Sequence, residues 1–411
     1  ITSLLGIAIW TNLRPLYWLI ETFFWLMTGL TSIFPVSILG PFILFIGLLL
    51  ICLGQNRSIN SIQKALVPQK ETLLVDALRV NSKLSRGPNI VAIGGGTGLS
   101  TLLKGLKNYS SNISAIVTVT DDGGSSGILR KQLGVQPPGD IRNCLAALSN
   151  EEPTLTRLFQ YRFSGGGGLE GHSFGNLFLS ALTTITGSLE KAVQASSQVL
   201  SVQGQVIPAT GIDVMLWAEL EDGEKIFGES LIGKSVKPIS RIGCLPENPP
   251  ALKNAIEAIK EADLIVLGPG SLYTSLLPNL LVPEIVEELL KNNSPKIYIS
   301  NLMTQPGETD GLDVYQHIKS IEKQLFNFGV NTRIFNAILS QGEFEGSSLI
   351  DYYRSRGAEP VICNKKRLVS EGYHVLQAPL YSKRITPTLR HDYRRLARAV
   401  MYMYKKIKKA N

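Results

Sequence analysis

The chain has 411 residues, 44% of them hydrophobic, and a formal net charge of +8. That much apolar material can bury a large core and fill more than one unit. The four cysteines (Cys52, Cys144, Cys244 and Cys363) are far apart and form no C-x-x-C pair. They exclude a zinc site or a disulfide framework and suit a reducing cytoplasm.

The hydrophobicity is uneven. Leu16 to Phe34 is almost wholly apolar, with Glu21 its only charge, and Val36 to Gly54 carries no charge. Each run is near the roughly 20 residues that span a bilayer, and Pro35 separates them. Residues 1–54 are therefore expected to form a transmembrane helical hairpin, with a pair of buried core helices as the alternative. Arg14 precedes the hairpin, and Arg57, Lys64 and Lys70 follow it. By the positive-inside rule both ends are cytoplasmic, which predicts a cytoplasmic domain tethered to the inner membrane by two helices. The chain begins with Ile rather than Met, so its start is expected further upstream. Other basic residues lie in the tail, Lys405 to Lys409, without aromatic interleaving. Anionic lipid head groups fit such charge, and nucleic acid is not an expected partner.

Residues 55–87 read as a polar, partly helical linker, and residues 88–411 as a nucleotide-binding domain. Its expected strands include Asn89–Ile93, Ala115–Thr120, Asp263–Leu267, Lys296–Ser300 and Arg333–Leu339. Helical patterns lie between several of them, including Pro250–Ala262 and Leu281–Lys291. The alternation predicts an α/β fold with a mainly parallel sheet and helices on both faces. Gln205–Gly243, with a turn at Asp222-Gly223, is expected to be an antiparallel insertion. Gly165 to Gly168 form a glycine loop that would suit a lid.

The first strand breaks into Gly94-Gly95-Gly96-Thr97-Gly98, and a helix is expected from Leu99. Glycines leave no Cβ between backbone N–H groups and a ligand, and a helix N-terminus favours an anion there. Thr97 and Ser100 add hydroxyls. The second strand ends in Asp121 and Asp122, where an acid commonly accepts from ribose hydroxyls. Leu99 stands where a dinucleotide fingerprint would have its third glycine. A second glycine turn, Gly268-Pro269-Gly270-Ser271, follows the strand Asp263–Leu267, with Thr274 and Ser275 close behind. Two such turns in one sheet would hold two ends of one ligand, or two ligands.

Pro137-Pro138-Gly139-Asp140-Ile141-Arg142-Asn143 opens another helix. Asp140 suits its N-cap, whereas Arg142 and Asn143 sit in a first turn where Arg is unfavourable unless it meets an anion. Gly171-His172-Ser173-Phe174-Gly175 matches the nucleophile elbow of hydrolases, but a glycine loop precedes Ser173 where a strand is needed. His172, Ser173 and Asn176 read better as ligand donors, with His172 the candidate general base. Asn301 and Thr304, with Gln305, lie at another strand end. Asp121, Asp122 and Asp140 would together suit Mg²⁺ completed by phosphate oxygens; two solvated acids and a cap are the alternative.

Together GGGTGLSTLLKGLK, TVTDDGGSSGILRKQLGVQPPGDIRNCLAALS, GHSFGNL, GPGSLYTSLLPNLLVP and MTQPGETDG resemble the bacterial gluconeogenesis factor family, a relative of 2-phospho-L-lactate transferase. The resemblance covers Asn89 to about residue 400. It implies a Rossmann-like fold, binding of a UDP-sugar such as UDP-N-acetylglucosamine, and a role in cell shape and wall synthesis on gluconeogenic carbon. It also links two residues to that ligand: Tyr353, which precedes Ala358-Glu359-Pro360-Val361 and adjoins Tyr352, and Arg390 in Leu389-Arg390-His391. A Tyr stacks on uracil and an Arg pairs with a diphosphate. The transferase relatives imply the alternative, a Mg²⁺-dependent group transferase with a nucleotide-linked donor. A homo-oligomer is expected, with cell-wall synthesis proteins as candidate partners.

Overall fold

The computed structural model describes residues 14–33, 35–66, 82–150, 153–235, 237–344, 348–381 and 388–410. The chain divides into two compact units, Ile1–Arg79 and Val80–Asn411.

The described residues of the first unit form two helices, α1 (Arg14–Ile33) and α2 (Val36–Leu66). Among the described residues, however, no helix is long and apolar enough to cross a membrane. The expected transmembrane hairpin is therefore corrected, and the tether to the inner membrane drawn from it is not supported. Several features of these helices dilute the apolar runs. Glu21 lies inside α1, where four hydroxyls (Thr22, Thr28, Thr31 and Ser32) bond back to carbonyls of their own helix. Helix α2 contains Pro41, and its sequence turns polar after Gln55. Residues 67–81 of the expected linker, Lys70 among them, and residues 1–13 lie outside the described residues.

The second unit is built on a seven-stranded sheet. Its strands are β1 (Ile90–Gly94), β2 (Ile113–Val117), β3 (Gln205–Pro208), β7 (Leu264–Leu267), β8 (Lys296–Ile299), β9 (Ala337–Gln341) and β10 (His374–Ala378). Their order is β10-β9-β8-β7-β1-β2-β3, and every pairing is parallel. β1, β7 and β9 are buried at every position, as expected of strands covered on both faces. The remaining strands, β4 (Met215–Leu220), β5 (Lys225–Phe227) and β6 (Ile239–Leu245), form a separate antiparallel sheet with Asp222-Gly223 between β4 and β5. The expected insertion is thus present, but its first segment, Gln205–Pro208, joins the parallel sheet as β3.

From β1 the chain passes through α3 (Gly96–Leu106) to β2 on one side. From β7 it passes through α8 (Pro283–Lys291) to β8 on the other. Parallel crossovers are right-handed, so movement in opposite directions puts the two helices on opposite faces. The packing agrees. α3 lies against α5 (Gly139–Leu148) and α11 (Tyr393–Ala410), whereas α8 lies against α7 (Lys253–Lys260). The direction of winding reverses between β1 and β7, and the carboxyl ends of strands at such a switch point are where α/β sheets bind ligands. Both glycine turns lie there.

Candidate functional site

Beyond those two strand ends lies a cavity of about 460 Å³. Gly95, Gly96, Thr97 and Gly98 line it from the first turn, and Pro269, Gly270, Ser271 and Thr274 from the second. Helix α3 starts at Gly96, earlier than the sequence pattern suggested, and its N-cap Gly95 supplies no side-chain acceptor. Its own N-cap therefore satisfies none of the first-turn N–H groups, and that end carries the positive pole of the helix dipole. Gly96 holds φ +63, a left-handed conformation that favours glycine. A Cβ on Gly98 would meet Pro269 O at 2.4 Å, so the two turns approach backbone to backbone. Asn279, fully buried, ties them together by donating to Gly94 O at 3.2 Å and Ser275 O at 2.8 Å.

The carboxylates gather between the turns. Asp140 does not cap its own helix, whose N-cap is Pro138. It accepts instead from the Gly96 N–H of α3, and burial together with Asp121 raises its pKa to about 7. Asp121 accepts from Gly123 N–H at 3.0 Å and lines the cavity with Asp140. Asp122 turns the other way: its Oδ1 accepts from Ser230 N–H at 2.8 Å, fixing the helix Glu229–Ile232 that follows β5. That helix carries Glu229 into the cavity lining, where burial and the charges of Asp121, Asp122, Asp140 and Glu308 raise its pKa to about 8. Among the described residues no three His, Cys, Asp or Glu side chains form a ready metal cage.

A third wall comes from the loop after β8 and from the C-terminal region. Asn301, Thr304 and Gln305 line the cavity. Thr304 Oγ1 accepts from Glu359 N–H at 2.8 Å and Met303 bridges Pro360, so the Ala358–Val361 segment docks on this loop. Tyr353 lines the cavity, and its hydroxyl accepts from Leu389 N–H at 3.1 Å, holding Arg390 and His391 at the rim. Arg390 is exposed, while burial pushes the His391 pKa down to about 4 and keeps it neutral.

Other expected site residues form a cluster on the Asp121 side of the cavity. Arg142, Asn143, His172, Ser173 and Asn176 do not line the cavity, and neither do Gly94, Asp122 and Gly268. Ser173 is fully buried and caps the helix α6 (Phe174–Thr186), its Oγ accepting from Asn176 N–H at 3.3 Å and from the Arg142 guanidinium. His172 Nδ1 lies 3.0 Å from Ser125 Oγ, to which the Asn176 amide also donates at 3.1 Å. A Cβ on Gly139 would lie 2.5 Å from both Asp121 Oδ2 and Ser126 Oγ, so the cluster backs the Asp121 carboxylate. A capping Ser with no space around it is not a hydrolase nucleophile.

The sequence pattern missed Glu229, which arrives from the antiparallel insertion with no spacing cue. Thr101 and His391 also line the cavity, each adjoining a motif already singled out, and so do Ser275 and Gln305, which those motifs contain.

Residues 90–381 match the family described as 2-phospho-L-lactate transferase CofD. A relative from Nostoc sp. is 50% identical over 402 residues, covering 98% of this chain and 87% of its own length. The Gluconeogenesis factor of Bacillus subtilis is 44% identical over 322 residues, 78% of this chain and 100% of its own. A crystal structure of a UPF0052-family member from Bacillus halodurans superposes with a TM-score of 0.72 at 45% identity, covering 77% of this chain and 99% of that one. The chain belongs to the CofD family and, within it, to the gluconeogenesis factors.

Proposed function

We propose that this gluconeogenesis factor binds a UDP-sugar, of the UDP-N-acetylglucosamine kind, and regulates cell shape and wall synthesis during gluconeogenic growth, with cell-wall synthesis proteins as its partners. The observation that carries the reading is that two glycine turns, from adjacent strands at the sheet's switch point, line one cavity together with Tyr353 and Arg390. The α3 N-terminus, whose N-cap Gly95 supplies no side-chain acceptor and where Asp140 takes only the Gly96 N–H, suits a diphosphate. Arg390 suits the same charge from the rim, and Tyr353 offers a ring for uracil.

The carboxylates favour a second reading, a Mg²⁺-dependent group transferase resembling the 2-phospho-L-lactate transferases. Asp121 and Asp140 fit Mg²⁺, which takes one or two carboxylates beside phosphate oxygens and waters. A cation there would offset the neighbouring carboxylate charge that, after burial, raises the pKa of Asp140 and Glu229. Asp122, committed to Ser230, is not a ligand in this arrangement. Bound Mg²⁺ would neutralise the diphosphate and draw charge from a leaving group.

Calorimetric titration with UDP-N-acetylglucosamine and with GTP, followed by product analysis with Mg²⁺ and 2-phospho-L-lactate, separates the two. The regulator binds the UDP-sugar and yields no product. Product formation, or binding of GTP in place of the UDP-sugar, overturns that reading.

A further inference from the structure

Thr274 lines the cavity at the second turn and is only 4% exposed. A threonine hydroxyl has one proton to donate. Here that proton is directed to Glu308 Oε1 at 3.1 Å. Glu308 reaches this point from the loop after β8, is buried, and also accepts the backbone N–H groups of Tyr273 and Thr274. An ionised carboxylate only accepts, so it fixes the direction of the hydroxyl. What Thr274 has left for the cavity is lone pairs.

Phosphate oxygens are acceptors and find no partner in such a group. Sugar hydroxyls and an acetamide N–H are donors and do. Thr101, another cavity residue, spends its proton on Thr97 O at 2.8 Å and likewise offers only lone pairs. The first turn differs: Asp140 takes the Gly96 N–H, and the groups beyond it are helix N-terminal N–H donors.

We infer that Thr274, oriented by Glu308, reads a hydrogen-bond donor on the ligand, so that the sugar of a nucleotide sugar seats at the second turn and the diphosphate at the first. Thr274 is then a specificity-determining residue and Glu308 its positioning residue. The inference rests on the nucleotide-sugar reading above. Burial lifts the Glu308 pKa to about 7, so pH 8 keeps it ionised.

The test is calorimetry on the full chain at pH 8 with UDP-N-acetylglucosamine and with UDP. T274V keeps the volume and removes the hydroxyl. It is expected to weaken UDP-N-acetylglucosamine about tenfold, the scale of one lost hydrogen bond, and to leave UDP within about twofold. T274S restores the difference. E308Q gives the same split between the two ligands, because a Gln amide can donate to the Thr hydroxyl and turn its proton away. T274A carries the same expectation with less bulk should T274V fold poorly. Equal weakening of both ligands overturns the inference, as does an unchanged affinity for both. A wild-type chain that binds neither ligand overturns the nucleotide-sugar reading as well, a result distinct from binding that the variants fail to split.

Discussion

The two glycine turns at the switch point look alike in sequence and differ in what they offer a ligand. Gly94–Gly98 leads from β1 into an α-helix whose N-cap, Gly95, supplies no side-chain acceptor. Gly268–Ser271 leads from β7 into a π-helical turn, Leu272–Leu276, followed by a 3₁₀ turn, Leu277–Leu281. The wider turn carries Thr274 on the cavity wall, with its hydroxyl bonded to Glu308. One turn presents backbone donors and the other a side-chain acceptor. Glycine in the first turn leaves no Cβ between the backbone and the cavity. In the second it lets the chain reverse closely enough to meet the first.

That close meeting can be broken directly. A Cβ at Gly98 would stand 2.4 Å from Pro269 O and 2.8 Å from Pro269 C, both backbone atoms of the other turn. G98A must push the turns apart, at a cost of about 1–3 kcal/mol in urea denaturation, typical of overpacking. Where that strain falls on the ligand's contacts with both turns, UDP-N-acetylglucosamine affinity measured by calorimetry is expected to fall by about tenfold to 100-fold. A G98A chain that binds as tightly as wild type would show that the turns act separately.

The carboxylates between the turns respond to pH. The Glu229 pKa is raised from 4.5 to about 8, so the folded state holds this proton more tightly than the unfolded chain does. The sign follows from linkage: this group costs the fold nothing below its unfolded pKa, and stability is lost as pH rises from there to the folded pKa. E229Q removes the loss. It is expected to stabilise the protein by about 1–2 kcal/mol at pH 9, discounted for partial exposure, and to be neutral at pH 5. Urea denaturation at both pH values checks this, and an equal effect at both would remove Glu229 from the carboxylate group.

How far the site was legible in the sequence follows from distance along the chain. The β1 turn, α3 and the Asp121-Asp122 strand end lie within one βαβ unit, whose glycines and apolar runs carry their own local reasons. Asp140 was legible as a site residue but not in its role. A helix-start acid suggests its own cap, and only the packing of α5 against α3 shows it accepting from Gly96. Glu229 was not legible, because it is placed by Asp122, 108 residues from the Ser230 it holds. The apolar runs before Gly54 suggested a bilayer span by length and composition, and the helices they form do not meet that standard among the described residues.

The smallest expected effect separates the cavity from the cluster beside it. Gly171–Gly175 matches a hydrolase elbow, yet Ser173 is fully buried and caps α6. If that structural role is its whole role, S173A loses an N-cap worth about 1 kcal/mol and lowers stability by that order. It also takes an acceptor from the Arg142 guanidinium, which keeps its bond to Asn143 Oδ1 at 2.9 Å. UDP-N-acetylglucosamine affinity should then stay within about twofold of wild type, since Ser173 is not among the cavity residues. Loss of affinity in a stably folded S173A chain would join this cluster to the cavity as one functional unit. Unchanged affinity would leave Arg142, His172 and Asn176 as the support on which Asp121 rests, and would place ligand recognition on the two turns and the carboxylates between them.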